Sequence, residues 1–529
     1  MEKQKKSPKN LLYFFITSFF LLFLVPYKQV SAAQTYYVST SGKDSNPGTI
    51  NSPWATLSKA ATSVQPGDTV YTRGGIYHQS VTISKSGASS QPITFASYQD
   101  EKVVIDASGL SSYSVLRLSG DWLIVQGFEV QNTKVEGAAI LIEGNHCIVR
   151  NNKVHDCWDA AIHINGNYGL AEGNTVWNNG LVNENGGAGG WPAVVSCVRN
   201  YSNPTPQHCT LRKNTVWNNW GEGISVFEQI YTTIEDNISY NNQQNIYLSD
   251  TKYSIVQRNI VYCTPGNAIG KRYSQNGILI GDEKGVLIDG VRRSSSNNKV
   301  INNMVVGCDR NIAAGAEASA NNLIAYNTFI NSSNDGGENA NVLIYVAGSC
   351  SSCRFTNNLV YQGPGATNPI TIGGNSDWIM SNNLWSKTPS PLFRGINDIN
   401  NVDPLLANVI TPSVGNISSD NFKILSSSPV INKALVLGEV TTDYFGNSRD
   451  SFPDIGAHEY GGSEPPPPST NLVGDVNNDN KVNILDLAIV ATCFRLPPTG
   501  DCQRANLNND NLINVLDLLI VANHFGQER

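Results

Sequence analysis

The chain has 529 residues, of which 40% are hydrophobic and 15% are charged. This composition supports a sizeable core and excludes a disordered protein. The 46 glycines and the many Asn and Ser residues indicate turns and short strands rather than a long helical bundle. The formal net charge is −7, and the chain beyond residue 33 has no run of Lys and Arg that could neutralise a phosphate backbone. Nucleic acid is therefore excluded as a partner.

The first 33 residues have the order of a bacterial-type secretory signal. Residues 2–9 are rich in Lys, residues 11–25 form an apolar run, and residues 31–33 supply small side chains for cleavage. The run is shorter than the roughly 20 residues of a membrane span, and Pro26 ends it. A retained membrane anchor is the alternative. We expect an exported monomer without a membrane span after cleavage, and loss of residues 1–33, which carry a net charge of +4, changes the charge from −7 to −11.

A short motif built around one Asn recurs nine times along the chain. The shared residues are Asn152, Asn174, Asn214, Asn237, Asn259, Asn303, Asn327, Asn358 and Asn383. The steps between them are 22, 40, 23, 22, 44, 24, 31 and 25 residues. We interpret most steps as one period and the step of 44 as two periods. The step of 40 is interpreted as one period carrying an insertion, residues 180–208.

Each repeat contains two or three short segments in which apolar and polar residues alternate, which predicts strands with one buried face. A unit this small cannot bury its apolar face alone, but stacked units can. Asn at one position per coil then forms a ladder of side-chain amides. On these features residues 35–460 resemble the right-handed parallel β-helix superfamily, and segments 36–81 and 427–460 resemble its usual opening and closing segments. The predicted fold class is an all-β, right-handed parallel β-helix solenoid followed by a small α-helical calcium-binding domain.

The predicted organisation follows from these repeats and from four consecutive prolines at 465–468. The expected parts are a signal peptide (1–33), an N-terminal cap with the first coils (34–120), the repeats (121–390), a C-terminal β-helix segment (391–460), a Pro-rich linker (461–470) and a C-terminal module (471–529).

The C-terminal module contains two near-duplicate segments, residues 474–490 and 505–521. Calcium loops take oxygen ligands at positions 1, 3, 5, 7, 9 and 12, position 7 through its main-chain carbonyl. The residues at these positions are Asp475, Asn477, Asp479, Lys481, Asn483 and Asp486 in the first copy, and Asn506, Asn508, Asp510, Leu512, Asn514 and Asp517 in the second. The duplication predicts two calcium sites, and Asn506 predicts weaker binding in the second loop because it replaces an acidic first ligand.

This duplicated module resembles a type I dockerin, and the resemblance implies Ca²⁺ as cofactor and a cohesin-type scaffold protein as partner. The residues after position 9 are usually small and polar in that family, whereas here they are Ile484-Leu485 and Val515-Leu516. This departure leaves open a calcium-stabilised domain that packs against its own chain.

The ten cysteines show no spacing typical of a zinc site. Three pairs lie close in the sequence, and each brackets a turn or a loop: Cys197 and Cys209, Cys350 and Cys353, and Cys493 and Cys502. The remaining four, Cys147, Cys157, Cys263 and Cys308, are interpreted as buried free thiols.

Aligning a second strand of successive coils places three acids in one column, Glu228, Asp250 and Asp282. Like charges stacked one coil apart repel unless a cation compensates, so this column is the first candidate for catalysis. Lys252 and Lys284 lie beside it and are the candidate bases. The alternative is a solvated edge of exposed ion pairs.

A second candidate group comprises His163, Asp159 and Glu222. Trp158, Trp191 and Trp220 lie near them in the sequence and are the candidate substrate-binding residues, because aromatic rings stack on sugars. Trp177 and Trp217 occupy one repeat position and are interpreted as packing residues.

The resemblance implies a secreted protein, with cell-surface attachment possible through its module, that acts on a polysaccharide which could contain uronate. Lyases of this superfamily use a metal and a Lys or Arg base, C5-epimerases abstract the same proton, and glycosidases use two or three Asp. The residues match none of these patterns fully. Lyase, hydrolase, epimerase and non-catalytic carbohydrate-binding or surface-display solenoid therefore remain open, with an enzyme favoured.

Overall fold

The computed structural model describes most of the chain. The described ranges are 32–185, 191–198, 208–272, 274–282, 287–288, 291–292, 294–315, 319–333, 339–344, 350–363, 368–374, 377–462, 474–477, 479, 481–496, 500–507 and 512–527. The chain divides into two compact units, residues 1–210 and 211–529. The predicted signal, the four prolines, Lys284, Asn508 and Asp510 lie outside the described residues.

The first unit contains one helix, α1 (Leu57–Ser63), among its described residues. Its strands are β1 (Thr35–Val38), β2 (Thr69–Thr72), β3 (Gly75–Tyr77), β4 (Val81–Ile83), β5 (Ile93–Ser97), β6 (Val103–Asp106), β7 (Ser114–Leu118), β8 (Leu123–Gln126), β9 (Phe128–Gln131), β10 (Ala138–Ile142), β11 (Ile148–Arg150), β12 (Lys153–His155), β13 (Ala160–Ile164), β14 (Leu170–Glu172), β15 (Thr175–Trp177), β16 (Ala193–Val198) and β17 (Thr210–Arg212), the last of which crosses the division.

Each coil of this unit contributes one strand to each of three parallel sheets. In chain order these are sheet 1 (β1-β2-β5-β8-β11-β14), sheet 2 (β3-β6-β9-β12-β15) and sheet 3 (β4-β7-β10-β13-β16). The alternation predicted from the sequence is present: in β8, Leu123 and Val125 are fully buried and their neighbours are partly exposed. Stacking therefore buries what a single coil would expose.

The second unit repeats this architecture. Its strands are β18 (Thr215–Trp217), β19 (Glu222–Phe227), β20 (Thr233–Glu235), β21 (Ile238–Tyr240), β22 (Gln244–Ser249), β23 (Ile255–Gln257), β24 (Ile260–Tyr262), β25 (Asn276–Gly281), β26 (Leu287–Ile288), β27 (Val291–Arg292), β28 (Lys299–Ile301), β29 (Met304–Val306), β30 (Arg310–Gly315), β31 (Ser319–Ala320), β32 (Leu323–Ala325), β33 (Thr328–Ile330), β34 (Ala340–Ile344), β35 (Cys350–Ser351), β36 (Arg354–Thr356), β37 (Leu359–Tyr361), β38 (Thr371–Gly373), β39 (Ile379–Ser381), β40 (Leu384–Trp385) and β41 (Ile399–Asn400).

The strands of the second unit again form three parallel sheets. In this unit sheet 1 contains β20-β23-β28-β32-β36-β39, sheet 2 contains β18-β21-β24-β29-β33-β37-β40-β41, and sheet 3 contains β19-β22-β25-β30-β34-β38. Two small two-stranded sheets, β26-β27 and β31-β35, accompany them. The predicted parallel β-helix is confirmed in both units.

The predicted ladder of Asn side chains lies at the corner between sheets 1 and 2, and its nine members are at most 1% exposed. The main-chain N–H and Nδ2 of Asn259 both donate to Oδ1 of Asn303, at 3.1 and 2.9 Å. Asn303 repeats the pattern with Asn327, and its Nδ2 also donates to the carbonyl of Val256 on the preceding coil, at 2.9 Å. One amide thus cross-links three coils.

Two repeat assignments made from the sequence are wrong. The step of 44 residues is one coil rather than two, because Asn259 bonds directly to Asn303 and β23 pairs directly with β28. Between the two Asn residues lie β24 and β25 of the same coil and the short strands β26 and β27. The predicted insertion 180–208 also contains a strand of its own coil, β16, which pairs with β13.

Four disulfides connect Cys197–Cys209, Cys263–Cys308, Cys350–Cys353 and Cys493–Cys502. The prediction of free thiols is confirmed for Cys147 and Cys157 and wrong for Cys263 and Cys308. The latter two are 45 residues apart, and the parallel stacking of successive coils brings them together. Sequence spacing alone could not show this proximity.

The C-terminal segment packs on the outer face of sheet 2 in the second unit, where its apolar side chains form one cluster with those of the strands. The buried Arg449 anchors the segment. Its guanidinium donates to Glu459 Oε2 at 3.0 Å and to Asn302 Oδ1 at 2.9 Å, and it lies 3.8 Å from the ring centroid of Tyr326. Because the charge is paired and hydrogen-bonded, it can be accommodated in the interior.

The C-terminal module has two helices, α2 (Ile484–Thr492) and α3 (Val515–Asn523). Asp486 is fully buried and accepts N–H bonds from Val476 at 2.7 Å and Asn483 at 2.9 Å. Asp517 accepts the equivalent bonds in the second copy. The duplication seen in the sequence is therefore a structural duplication. Among the described residues, no helix combines the length and apolar character needed to cross a bilayer.

The last rung of the ladder supplies a first prediction. Asp398 Oδ1 accepts two bonds from Asn383, and Oδ2 accepts from Trp385 Nε1 at 2.9 Å and Gly395 N–H at 2.8 Å. In Asp398→Asn one pair of donors would face an NH₂ group, so we expect a loss of about 2 kcal/mol in the free energy of unfolding. Urea denaturation measures this loss. The exposed control Asp420→Asn should change it by less than about 0.5 kcal/mol, and equal effects would contradict the role of the last rung.

A second prediction concerns pH. Burial lowers the pKa of His458, whose Nδ1 accepts the N–H of Ile424 at 3.2 Å. Below the ordinary pKa of about 6.5 the unfolded chain binds more protons than the folded protein, so stability should fall as the pH drops through this value. Urea midpoints between pH 7 and pH 5 should decline less steeply in His458→Asn, which keeps an acceptor. The exposed control His78→Asn should retain the slope, and an unchanged slope in both variants would refute the prediction.

Candidate functional site

The first-choice acids lie in one column at the ends of sheet-3 strands β19, β22 and β25. The last residues of these strands are aligned with one another. Glu228, Asp250 and Asp282 come next in the chain, so equivalent Cα atoms are about 4.8 Å apart. The alignment predicted from the sequence is therefore confirmed, and we call these three residues the acidic column.

The acidic column is largely buried. Glu228 and Asp250 are each 2% exposed, and Asp282 is partly exposed. Ser249 Oγ donates to Asp250 Oδ2 at 2.9 Å, and the N–H of Ser295 donates to Asp282 Oδ1 at 2.7 Å. These donors hold two of the carboxylates in fixed positions. Asp282 is the most accessible member of the column.

Tyr247 is a neighbour of the column that sequence reasoning missed. It lies on β22 between the fully buried Ile246 and Leu248, so it points away from the core. A Cβ added at Gly281 would lie 3.1 Å from the Tyr247 hydroxyl. The phenol therefore extends across the neighbouring strand, directly before Asp282. An aromatic at an outward position followed by a Gly in the next coil is the signal that could have revealed it.

Of the two candidate bases, only Lys252 is described. It is partly buried and lies two residues after Asp250, and the fully buried Thr251 lies between them. The main chain of Lys252 forms parallel bridges with Ile230 and Ser296, so this lysine lies at the corner that follows the column. Lys284 lies outside the described residues.

Two residues of the second-choice group, Asp159 and His163, lie apart along the chain of the first unit. Asp159 precedes β13 and His163 is its fourth residue, so about 13 Å of extended chain separates their Cα atoms. Burial lowers the pKa of His163 to about 4, so the ring is neutral at pH 7. Burial raises the pKa of Asp159, which accepts the N–H of Gly137 at 2.9 Å. Asp159 thus has a structural bond within its own unit.

Glu222 begins β19 in the second unit and is 4% exposed. It is aligned with Gln244, and further strands continue this position with Asn276 and Arg310. Asn276 Nδ2 donates to Gln244 Oε1 at 2.6 Å. The start of sheet 3 in this unit therefore carries a second polar column. Arg272, whose guanidinium lies 5.8 Å from the ring centroid of Trp220, is in the same unit.

The other tryptophans have different environments. Trp191 is 52% exposed and is available to a ligand. The main-chain N–H of Trp158 donates to the Thr133 carbonyl at 3.1 Å. Trp177 stacks on His155 and Trp217 stacks on Tyr240, with centroid distances of 4.1 and 5.7 Å, which confirms their interpretation as packing residues.

The described part of the first calcium loop contains several side-chain oxygen atoms of the kind that coordinate metal ions. Asp479 N–H donates to Asp475 Oδ1 at 3.1 Å and to Asn477 Oδ1 at 2.9 Å. Carboxylate and amide oxygens are the ligands that Ca²⁺ prefers, so this donor set fits the ion. Within the described ranges, no three His, Cys, Asp or Glu side chains converge as a metal cluster, and this includes the acidic column.

Two segments of the chain match known protein families. Residues 36–341 match the family described as Pel9A-like, right-handed β-helix region. The chain belongs to this family. Residues 473–526 match the type I dockerin domain, so the second resemblance drawn from the sequence is also confirmed.

Three curated relatives are similar over shorter stretches. Pectate lyase L of Paenibacillus polymyxa is 32% identical over 161 residues, covering 29% of this chain and 35% of that protein. Pectate lyase PEL9 of Emericella nidulans is 38% identical over 80 residues, covering 15% and 20%. The uncharacterized protein YwoF of Bacillus subtilis is 30% identical over 132 residues, covering 22% and 28%. The chain thus matches about a third or less of each relative's length.

Solved structures are similar to this chain over most of its length. The complex of XylC with xylose has a TM-score of 0.53 at 14% identity and covers 80% of this chain and 98% of that chain. Pectate lyase Pel9A has a TM-score of 0.44 at 18% identity and covers 82% and 97%. Identities this low bear on fold alone.

Proposed function

We propose that the β-helix cleaves a polysaccharide at the acidic column and that elimination within a uronate-containing chain is the reaction. The observation that carries this proposal is the register of three acids and one lysine at the end of sheet 3 in a chain of the Pel9A-like family. The names of two relatives, both pectate lyases, support the reaction type.

In this proposal Lys252 is the base. Its neutral amine takes the C5 proton of a uronate, the C–H electrons form the C4–C5 double bond, and the C4–O bond breaks so that the departing oxygen is protonated. Asp282, the most accessible acid of the column, is the proton donor to that oxygen. Tyr247 is only 5% exposed, and its hydroxyl, beside Gly281, is the group that contacts the adjacent sugar in this proposal. Because the three carboxylates of the column do not converge, no step is assigned to a metal at this place.

Hydrolysis is the second candidate, and the spacing of the column favours it. Neighbouring members are one coil apart, about 4.8 Å, and alternate members about 9.6 Å. Paired carboxylates about 5–5.5 Å apart act in retaining glycosidases, and pairs about 6.5–9.5 Å apart act in inverting ones. These Cα spacings lie close to both ranges, so a pair of acids within the column suits a hydrolase.

The C-terminal module is proposed to bind two Ca²⁺ ions and to attach the exported enzyme to a cohesin-type partner. Type I dockerin domains bind calcium and cohesins, and the loop donors described above fit the ion. Ile484 and Val515, at equivalent positions of the two copies, are each 64% exposed. We infer that the partner offers an apolar surface to these side chains.

A third prediction tests the acidic column. Asp250→Asn keeps the shape of the side chain and removes the negative charge that lies one coil from the proposed proton donor Asp282 and two residues from the proposed base Lys252. Turnover should therefore fall by roughly 10²-fold or more while the melting temperature stays nearly unchanged. The assay incubates the protein with a panel of polysaccharides and reads ultraviolet absorbance and reducing ends. New absorbance means elimination, reducing ends alone mean hydrolysis, and binding without either means a non-catalytic solenoid.

The matched control is Asp450→Asn, an exposed Asp outside sheet 3. It should retain full turnover. Full turnover in Asp250→Asn as well would refute the role of the column. Adding EDTA to the same assay tests whether the reaction uses any bound metal, because a two-carboxylate hydrolase should continue in its presence.

A fourth prediction ranks the calcium loops. Asp475→Asn gives the first loop the same first ligand as the second, and Asn506→Asp makes the reciprocal change. Since affinity follows the number of charged ligands, the first variant should weaken one binding step and the second should strengthen the other. Isothermal titration of the full chain with Ca²⁺ measures both steps. If neither changes, these residues are not ligands.

A further inference from the structure

A pocket of about 310 Å³ lies in the first unit, at the corner between sheets 1 and 2. It arises from a change in loop length. Residues 98–102 connect β5 to β6, whereas Gly127 alone connects β8 to β9 and two residues connect β11 to β12. The longer loop extends past the tight corners of the following coils and leaves a recess beside them. We call this recess the corner pocket.

The loop that forms one wall is held in place without a ligand. Arg73 forms an ion pair with Glu101 at 2.9 Å, and the N–H of Gly74 donates to Glu101 Oε2 at 2.6 Å. The hydrogen bond from Arg73 lowers the pKa of Glu101, which therefore stays ionised at neutral pH. The Arg73 guanidinium also lies 5.0 Å from the ring centroid of Tyr98. The wall is thus formed before any ligand binds, which lowers the entropic cost of binding.

The corner beside it requires a residue without a side chain. Gly127 has a φ of +77°, and a Cβ at this position would collide with Ser97 Oγ. Any other residue would both strain the turn and fill part of the pocket.

Acidic, basic and amide side chains line the pocket. Asp100, Asn151 and Lys153 are exposed on its sides. The side chain of Glu129 is 12% exposed and is held by Lys102 Nζ at 2.9 Å. His155 Nε2 lies 3.5 Å from the same carboxylate.

The lining has no surplus charge that would select an ion. Its acids, Asp100, Glu101 and Glu129, are matched by Lys102 and Lys153 in the lining and by Arg73 behind it. Carboxylates accept hydrogen bonds from the hydroxyl groups of a ligand. Ammonium and amide groups donate hydrogen bonds to the oxygens of the same hydroxyl groups. An uncharged polyhydroxy ligand uses both kinds of group.

We propose that the corner pocket binds one neutral sugar residue of a polysaccharide. Its volume is at the lower end for ligand sites, which suits a single ring rather than a chain segment. This goes beyond the proposed function, because it assigns carbohydrate binding to a corner of sheets 1 and 2 and requires no catalysis by the acidic column.

The test is saturation-transfer difference NMR on the full chain with a set of neutral methyl glycosides, those of galactose, glucose, xylose and rhamnose, at millimolar concentration. At least one should receive magnetisation. Its affinity should fall about tenfold or more in Asp100→Asn and in Lys153→Ala, since each removes a charged hydrogen-bonding partner. Both side chains are exposed, and Asn tolerates the left-handed backbone of residue 100 (φ +60°), so the melting temperature should not change.

Lys134→Ala, an exposed lysine that does not line the pocket, is the matched control and should bind as the wild type does. Asp250→Asn should also bind as the wild type does, whether or not it has lost turnover, so a failure of the proposed function and a failure of this inference are distinguishable. The proposal is overturned if no neutral glycoside binds, if binding survives both pocket variants, or if galacturonate binds the pocket in preference to every neutral sugar.

Discussion

The stacked hydrogen bonds between buried Asn side chains are the constraint on which the solenoid depends. Each amide satisfies the N–H of the previous coil and returns its own NH₂ to main-chain carbonyls, so the tight corner between sheets 1 and 2 leaves these groups paired. The hydrogen bond from Asn259 to Asn303 shows how strictly the ladder is maintained from coil to coil. Although 44 residues separate them, they remain direct neighbours, and the strands β23 and β28 that precede them pair directly.

This constraint explains where the candidate sites lie. Residues within the strands have their environment set by the stack, whereas the corners and the loops that leave them are free to differ. The acidic column begins directly after three sheet-3 strands, at positions where Glu228 and Asp250 have left-handed backbone conformations. The corner pocket exists because residues 98–102 form a longer corner than the coils that follow. In both places an irregular position on a regular scaffold supplies the chemistry.

The C-terminal end of the ladder and the covered outer face of sheet 2 show how exposed groups of the second unit are satisfied. At the C-terminal end of the ladder Asp398 takes the place of an Asn. Its carboxylate accepts four hydrogen bonds, and no further coil requires the NH₂ group that an Asn would supply. The outer face of sheet 2 in the second unit would expose apolar side chains, and the segment anchored by Arg449 covers them. Paired charge and apolar burial together fix the segment in place.

The sequence by itself determined the periodic parts of this protein. The spacing of the nine Asn residues predicted the ladder, the alternation predicted the strands, and the duplicated loops predicted the two-helix module, because each pattern is local and repeats. Aligning Ile224, Ile246 and Ile278 was enough to place three acids in one column. These features can be predicted from the number of residues between equivalent positions in the sequence.

Only the tertiary structure decided which distant residues meet. It joined Cys263 to Cys308 and brought the Tyr247 hydroxyl over Gly281. It also showed that the 44-residue step is a single coil. The physical reason is common to all three. The path of the chain between strands varies in length without changing the rise per coil, so spacing in the sequence does not report contacts across coils.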